Sequence, residues 1–425
     1  MANNFDSNFT RKLARVFLEK FDSERVLSKN VNTQLLQGKF DPASGTTVDF
    51  KRPNDYVSVR TSNGDLTSET ASSIITGKAS GVVQDYFTAF VDYDEADEAI
   101  KMDQLDQLLA PLATRIKTDL ELDFAAFMMK NTALLAGTVG TGVTTWDHVA
   151  NAGAIMTASG IPMDSPWCYA VNPFTQVSLA SNQRSLGAGG SAGGLIKTAV
   201  DRATIDENFA GMKVMTATTL ASYTTGVGAD RAGTVVGTPV ATYLAAKDTM
   251  TQVIGVTAFQ ANLVVKAGET ITVTGRNRLN LSTRQPILNA AGAQILFSGT
   301  VTADVTLGAS GEGNLTITGP AIFEAAGQYN TVDSAIAASD VVTLGGAAST
   351  IIQPNLFWHK QAFAIGSVPI KKLQSVDTLA TTEDGLQFRV SKGSDFTKNE
   401  QKVRFDFRPA YGVMNPFFAG QSFGG

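Results

Sequence analysis

Two histidines, His148 and His359, and a single cysteine, Cys168, are the entire supply of imidazole and thiol in this chain of 425 residues. A structural zinc centre gathers several such groups at close spacing, so none is expected here, and one cysteine cannot close an intrachain disulfide. Cys168 lies between Trp167 and Tyr169 in an apolar run, the setting of a small hydrophobe more than of a nucleophile. Phosphate chemistry fares no better. Gly77-Lys78 is followed by Ala79, and no glycine stands five positions before Gly77, so the P-loop spacing is broken. The run from Gly187 to Gly194 carries Ala192 where a dinucleotide fingerprint needs its third glycine, and it reads as a flexible loop with no bulk to pack. Serines are plentiful, but no G-x-S-x-G elbow accompanies the histidines, and no two carboxylates stand out as a pair for glycosidic cleavage. We expect no catalytic residue, no cofactor and no bound metal.

What remains is chemistry by contact. Lys51, Arg52 and Arg60 flank the turn-forming triplet Pro53-Asn54-Asp55, and Asp92, Asp94, Glu95, Asp97 and Glu98 form an acidic cluster further on. Such a cluster suits a divalent cation or a basic partner, although the plainer reading is charge placed at a helix N-terminus, where the macrodipole favours anions. The net charge of -5 is spread along the whole length, without the clustered Lys and Arg that displace counterions from nucleic acid. Residues Met1 to Thr10 hold no apolar core of signal-peptide length, and no apolar run approaches the roughly 20 residues that span a bilayer. Synthesis and folding in a cytoplasm, away from membranes, are expected.

The elements that carry these charges can be read from periodicity. Phe5, Phe9, Leu13, Val16, Phe17 and Phe21 recur at three- and four-residue steps among Arg11, Lys12, Arg15 and Lys20, which describes an amphipathic helix that docks on its own domain or on a neighbouring copy; a membrane surface is a third, weaker reading, since Glu19, Asp22 and Glu24 dilute the basic face. Thr46, Val48 and Phe50, then Tyr56, Val57 and Val59, make two short strands of a hairpin around Pro53-Asn54-Asp55. The polar stretch Thr61 to Ser80 gives it flexible roots. Val82 to Tyr93 reads as a strand entering a core. Pro111 suits a first helical turn, and Leu112, Ile116, Leu120, Phe124, Phe127 and Met128 keep one apolar face to the end of a helix about 30 Å long. Arg115, Lys117, Asp119, Glu121 and Asp123 fall mostly on its other side. Trp146 to Ser159 is a second helix, Trp167 to Val171 a buried strand, and Phe174 to Leu179 a short helix.

From about Tyr223 to Ser349 the chain turns poor in charge and rich in Thr, Gly, Val and Ala. Strands are expected at Gln252 to Phe259, Thr270 to Gly275, Gln294 to Thr302, Asn314 to Thr318 and Val341 to Leu344, the pattern of a small antiparallel barrel or sandwich. Leu356 to Ile365, Leu386 to Val390 and Lys402 to Val413 then return to the first body. A length too great for one ordinary core, and this order of helices and strands, define an α+β protein with an inserted β domain.

Several local strings in that order carry a resemblance: Val48-Asp-Phe-Lys-Arg-Pro53, Ala99-Ile-Lys101, Leu109-Ala-Pro111, Phe127-Met-Met-Lys-Asn131, Pro354-Asn-Leu-Phe357 and Arg404-Phe-Asp-Phe-Arg-Pro-Ala-Tyr411. Over nearly its whole length the chain resembles the major capsid (coat) proteins of short-tailed double-stranded-DNA bacteriophages, the Hong Kong 97-type fold with an inserted domain. The resemblance implies an N-terminal arm over 1–30, an extended loop over 31–80 that laps a neighbouring subunit, and a core over 81–222 with its spine helix and axial domain. An inserted β domain over 223–349 and C-terminal strands over 350–425 complete it. It also implies a shell of hexamers and pentamers, a scaffolding protein and a portal, packaged DNA as a non-specific neighbour, and assembly in the bacterial host cytoplasm. Lys51, Arg52 and Arg60 would then meet Asp94, Glu95, Asp97 and Glu98 of the next subunit, each exposed pair worth roughly 0 to 1 kcal/mol. The alternative from another class is a β-rich surface or adhesin-like binding protein, suggested by the Thr- and Gly-rich insertion. A third reading, a hydrolase in an unfamiliar fold, rests only on the abundance of Ser and Asp.

Overall fold

The computed structural model describes residues 5–23, 25–40, 45–94, 105–186, 199–205, 207–325, 327–374, 376–395, 397 and 400–425. The glycine-rich run from Gly187 to Gly194, and Glu95, Asp97 and Glu98 of the acidic cluster, lie outside the described residues. The chain divides into two compact units, the first made of Met1–Asp49, Ser80–Ala125 and Phe363–Val413, the second of Phe50–Ala79, Ala126–Ala362 and Met414–Gly425.

In the first unit, Phe5–Ser23 forms helix α1, and the spacing of Leu13, Phe17 and Phe21 lays them along one buried stripe. An antiparallel sheet covers that stripe, its strands in the order Thr378–Thr381, Gln387–Asp395, Glu400–Phe407 and Phe87–Asp94. Phe17 stacks on Phe405 at 5.0 Å and meets Phe388 edge-on at 4.9 Å, while Phe21 meets Phe388 at 4.6 Å. Aromatic pairs in these geometries add about 0.5–1.5 kcal/mol each beyond the area they bury. The helix therefore docks on its own chain, the first of the partners its stripe allowed.

Leu105–Lys130 forms helix α2, 26 residues and about 39 Å long. It starts earlier than expected: Pro111 sits inside it, not in its first turn, because Leu105, Leu108 and Leu109 extend the apolar spacing upstream. A second correction concerns Glu121, placed by periodicity on the outer side. It is 1% exposed, and its carboxylate accepts from the backbone N–H of Leu27 at 2.8 Å, that of Ser28 at 3.1 Å, and the Ser28 hydroxyl. The segment after α1 thus finds partners for its amides on α2, which repays the burial of the charge.

Three apolar runs that read as single strands are each split in two. Val82 to Tyr93 breaks at Gln84 and Asp85 into Lys78–Val83 and Phe87–Asp94, and Lys402 to Val413 breaks at Arg408 into Glu400–Phe407 and Pro409–Val413. Leu356 to Ile365 breaks after His359 into Asn355–Trp358 and Phe363–Ser367. The halves belong to different sheets, one of which has the order Thr47–Lys51, Lys78–Val83, Pro409–Val413 and Phe363–Ser367. The expected hairpin is also corrected. Thr47–Lys51 is a strand, but its neighbour is Lys78–Val83 and not Tyr56–Val59, and residues 52–77 contain no strand. The two limbs close through Arg52 N–H to Gly77 O at 2.8 Å, so the turn at Pro53-Asn54-Asp55 opens a long arm rather than a tight hairpin.

In the second unit, helices α3 (Trp146–Ala158) and α4 (Pro173–Leu186) accompany a mixed sheet. Its strands run in the order Leu134–Ala136, Ala419–Ser422, Asn355–Trp358, Cys168–Val171, Met212–Thr216 and Asn208–Phe209. Val149, Ala152 and Met156 of α3 pack with Trp167, Tyr169, Val171, Leu179 and Phe357 in its core. The Thr- and Gly-rich stretch closes into a six-stranded barrel, in the order Thr251–Thr257, Gly313–Thr318, Leu296–Val301, Thr270–Asn277, Val341–Leu344 and Ala232–Val235. Period-two alternation sends Ile254, Val256, Ile271, Val273, Leu315, Ile317, Val342 and Leu344 inward, where they meet Phe297. All five strands expected there are present; the short Ala232–Val235, masked by Gly233, completes the closure.

Candidate assembly surfaces

The residues singled out for contact separate into different settings. Lys51 and Arg60 are exposed, whereas Arg52 is buried to 7% exposure. Its guanidinium donates from Nε to Lys78 O at 3.1 Å and from Nη1 to Met414 O, and burial lowers its pKa to about 10 in spite of Tyr243 and Asp248 nearby. Arg52 is therefore a fixture of its own chain, and its expected place among the exposed cations that meet another subunit is corrected. Asp94 ends the strand Phe87–Asp94 and pairs in register with Glu400. Lys51, Arg52 and Arg60 belong to the second unit and Asp94 to the first.

Residues 52–77 form an arm with apolar side chains in solvent: Tyr56, Val57, Val59, Leu66 and, at 75% exposure, Ile74. Its hydrogen bonds over 58–71 are local turns, from Asp65 N–H to Asn63 Oδ1 at 3.1 Å, Thr67 N–H to Asp65 Oδ1 at 2.9 Å and Glu69 N–H to Leu66 O at 3.1 Å. Several exposed apolar groups on a strandless segment form a surface that seeks cover. On α4, Phe174 and Val177 are open in the same way.

Sequence reasoning missed the residues that hold the arm's root. Lys78 N–H donates to Asp248 Oδ1 at 3.1 Å, Arg284 pairs with the Asp55 carboxylate, and Gln328 and Tyr329 bond the backbone of Asp55. These partners are separated by 170 to 274 positions, so no local pattern exposes them. Arg278 was missed as well. It is buried, lies 5.7 Å from the Phe297 ring and 6.0 Å from that of Phe417, and donates to Ala133 O at 2.8 Å and Ser298 O at 2.7 Å. Burial lowers its pKa to about 10, and its contacts tie the barrel to the chain leaving α2.

Of the groups first weighed for catalysis, Cys168 and His359 are buried, while His148 is half-buried on α3. Burial pushes the Cys168 thiol up to about 11. His359 is fully buried, with Nε2 2.7 Å from Asp164 Oδ1 and 2.9 Å from Ser165 Oγ, and its Nδ1 accepts from Gln361 N–H at 3.2 Å. That acceptor leaves the proton on Nε2, which donates to Asp164 and ties residues 164–165 to the strand end at Trp358. No group of three or more metal-ligating side chains occurs among the described residues.

An arm that exposes apolar groups offers a surface for contact with protein. The family model described as "P22 coat protein - gene protein 5" matches residues 1–425. The major capsid protein of Acyrthosiphon pisum secondary endosymbiont phage 1 is 36% identical over 427 residues, covering 100% of both chains. The chain belongs to the P22 coat protein family, and is a bacteriophage major capsid protein. Among solved structures it is similar to one of Mycobacterium phage Che8, with TM-score 0.46 and 13% identity over 94% of this chain and 92% of that one. It is also similar to the capsid of cyanophage P-SCSP1u, with TM-score 0.43 and 11% identity over 90% and 84%. Membership of the family rests on the sequence matches. Coat proteins of this kind assemble into multimeric shells of one chain, which makes it a component of the virion. Nothing favours the adhesin-like alternative. No helix of the described residues is long and apolar enough to cross a membrane.

Proposed function

We propose that copies of this chain close into an icosahedral shell of hexamers and pentamers around double-stranded DNA, on the Hong Kong 97-type plan. Each copy lays its arm across a neighbour, and a scaffolding protein and a portal take part in the bacterial host cytoplasm. The organisation is that of an N-terminal arm over 1–30, an extended loop over 31–80, a core over 81–222 completed by 350–425, and an inserted domain over 223–349. The observation that carries this reading is the arm, whose Tyr56, Val57, Val59, Leu66 and Ile74 stand in solvent with no strand among residues 52–77. Lys51 and Arg60 remain the exposed cations beside it, and acidic residues from Asp94 to Glu98 of the next copy are their partners in this scheme. Many weak contacts of this size sum to a stable shell while each stays reversible enough to correct errors. The dispersed net charge of -5 suits a container that does not grip its DNA. Sedimentation and negative-stain imaging of the concentrated full-length chain with its scaffolding partner test the proposal. Uniform closed shells are expected, and a chain that stays monomeric under every condition contradicts it.

A further inference from the structure

The arm is loose at its tip and fixed at its root, and the fixing groups come from the insertion. Gln328 is 5% exposed, and its side-chain nitrogen donates both to Asp55 O and, at 3.1 Å, to Ser73 O. A carboxamide has two N–H hydrogens, so one goes to the outgoing limb and one to the returning limb. The next rung outward is Val57 N–H to the Ser72 hydroxyl at 3.1 Å. Tyr329 Oη accepts from Asp55 N–H at 3.3 Å, and its ring stacks on Tyr243 with centroids 3.7 Å apart and planes 8° from parallel. Ile75 of the returning limb packs in the same apolar cluster as Tyr243 and Tyr329. Arg284 grips the Asp55 carboxylate while donating to Asn330 O at 2.8 Å, and it does so at φ +55°, a strained backbone for a residue with a side chain. Below these, Gly77 passes so close that an added Cβ would stand 2.6 Å from Lys247 O.

We propose that the insertion is a clasp on the arm: Gln328, Tyr329 and Arg284 hold its two limbs at a fixed spacing, and Gln328 is the positioning residue that sets the arm's pose for engaging a neighbouring copy. This rests on the lapping role given to the arm above. A loop rooted in this way has already lost much of the conformational entropy that docking would otherwise remove, so it engages faster and more tightly than a free loop of the same sequence. The clasp is separate from the barrel interior, since Gln328, Tyr329 and Arg284 are absent from the apolar cluster that fills it. The insertion then acts on assembly through the arm.

Tryptic cleavage reads the arm directly, because Arg60 is the sole Lys or Arg between Pro53 and Gly77. In the full-length chain, Gln328→Ala is expected to keep its urea unfolding midpoint close to wild type, to be cut after Arg60 about tenfold faster, and to assemble about tenfold more slowly by light scattering. Leu66→Asp, at the exposed tip, is expected to be cut at the wild-type rate and yet to assemble poorly. Wild-type cleavage and assembly of Gln328→Ala overturn the clasp, and a Leu66→Asp defect beside them leaves the lapping role standing. Normal assembly of Leu66→Asp overturns the lapping role itself. Should Gln328→Ala unfold, Tyr329→Phe removes only the accepting hydroxyl and keeps the ring stack. Faster cleavage of that folded variant supports the clasp, and wild-type cleavage reduces the whole set to a structural role.

Discussion

Asp340 and Arg276 show what a single pair contributes to the insertion. Arg276 holds both carboxylate oxygens, Nε to Oδ2 at 2.6 Å and Nη2 to Oδ1 at 2.7 Å, and Ala337 N–H adds a third bond at 2.8 Å. The Arg276 bonds hold the Asp340 carboxyl below its ordinary 3.8. Between that lowered value and 3.8 the unfolded chain binds a proton that the folded chain does not, so stability rises with pH across the interval. The contribution is complete above 3.8 and is lost as pH falls through the folded value. Asp340→Asn is expected to lower the stability of the insertion by about 1–2 kcal/mol near neutral pH, with the gap to wild type closing as the solution is acidified below 3.8. Urea unfolding followed across pH checks this, and a gap that stays constant contradicts it. Residues of this kind are the ones that periodicity places least well. Glu121 and Arg52 both fall where a pattern of apolar spacing assigns charge to solvent, yet each is buried against backbone groups of distant segments that the pattern does not encode.

The arm gives the corresponding test among the elements. Arg52 and Arg60 are eight positions apart and carry the same charge, but one is a buried root and the other an exposed flank. Arg52→Glu sets a carboxylate against the carbonyls of Lys78 and Met414 and is expected to cost the monomer about 3 kcal/mol or more. Arg60→Glu is expected to leave monomer stability within about 0.5 kcal/mol and to slow assembly. Urea midpoints of the monomers and scattering traces of assembly separate the two effects, and equal behaviour of the two variants contradicts the assignment. Elements with strong internal periodicity were legible: the stripe of α1, the apolar face of α2, and the five barrel strands of the charge-poor stretch. Two kinds of boundary were not. Strands that run on in sequence across Gln84-Asp85 or Arg408 look continuous, since an apolar run does not record a change of sheet. The arm looked like a hairpin because Pro53, Asn54 and Asp55 carry turn chemistry, whereas its closing partner at Gly77 lies beyond a polar stretch with no strand pattern.

For the molecule as a whole, the α+β class and the membership in a coat protein family followed from the order of elements and from strings that extend from Val48 to Tyr411. The work of a structural coat protein is spread over surfaces, which leave no compact motif in the sequence. Groups that hold distant segments together, such as Gln328 beneath Asp55 and Ser73, or Arg278 near the rings of Phe297 and Phe417, appear only when those segments meet. The most direct measurement is a reconstruction of assembled particles at a resolution that traces the main chain. The expected result is a closed shell in which residues 56–74 of each copy cross onto the adjacent one. A shell whose arms stay on their own subunit, or the absence of closed particles, would contradict the account.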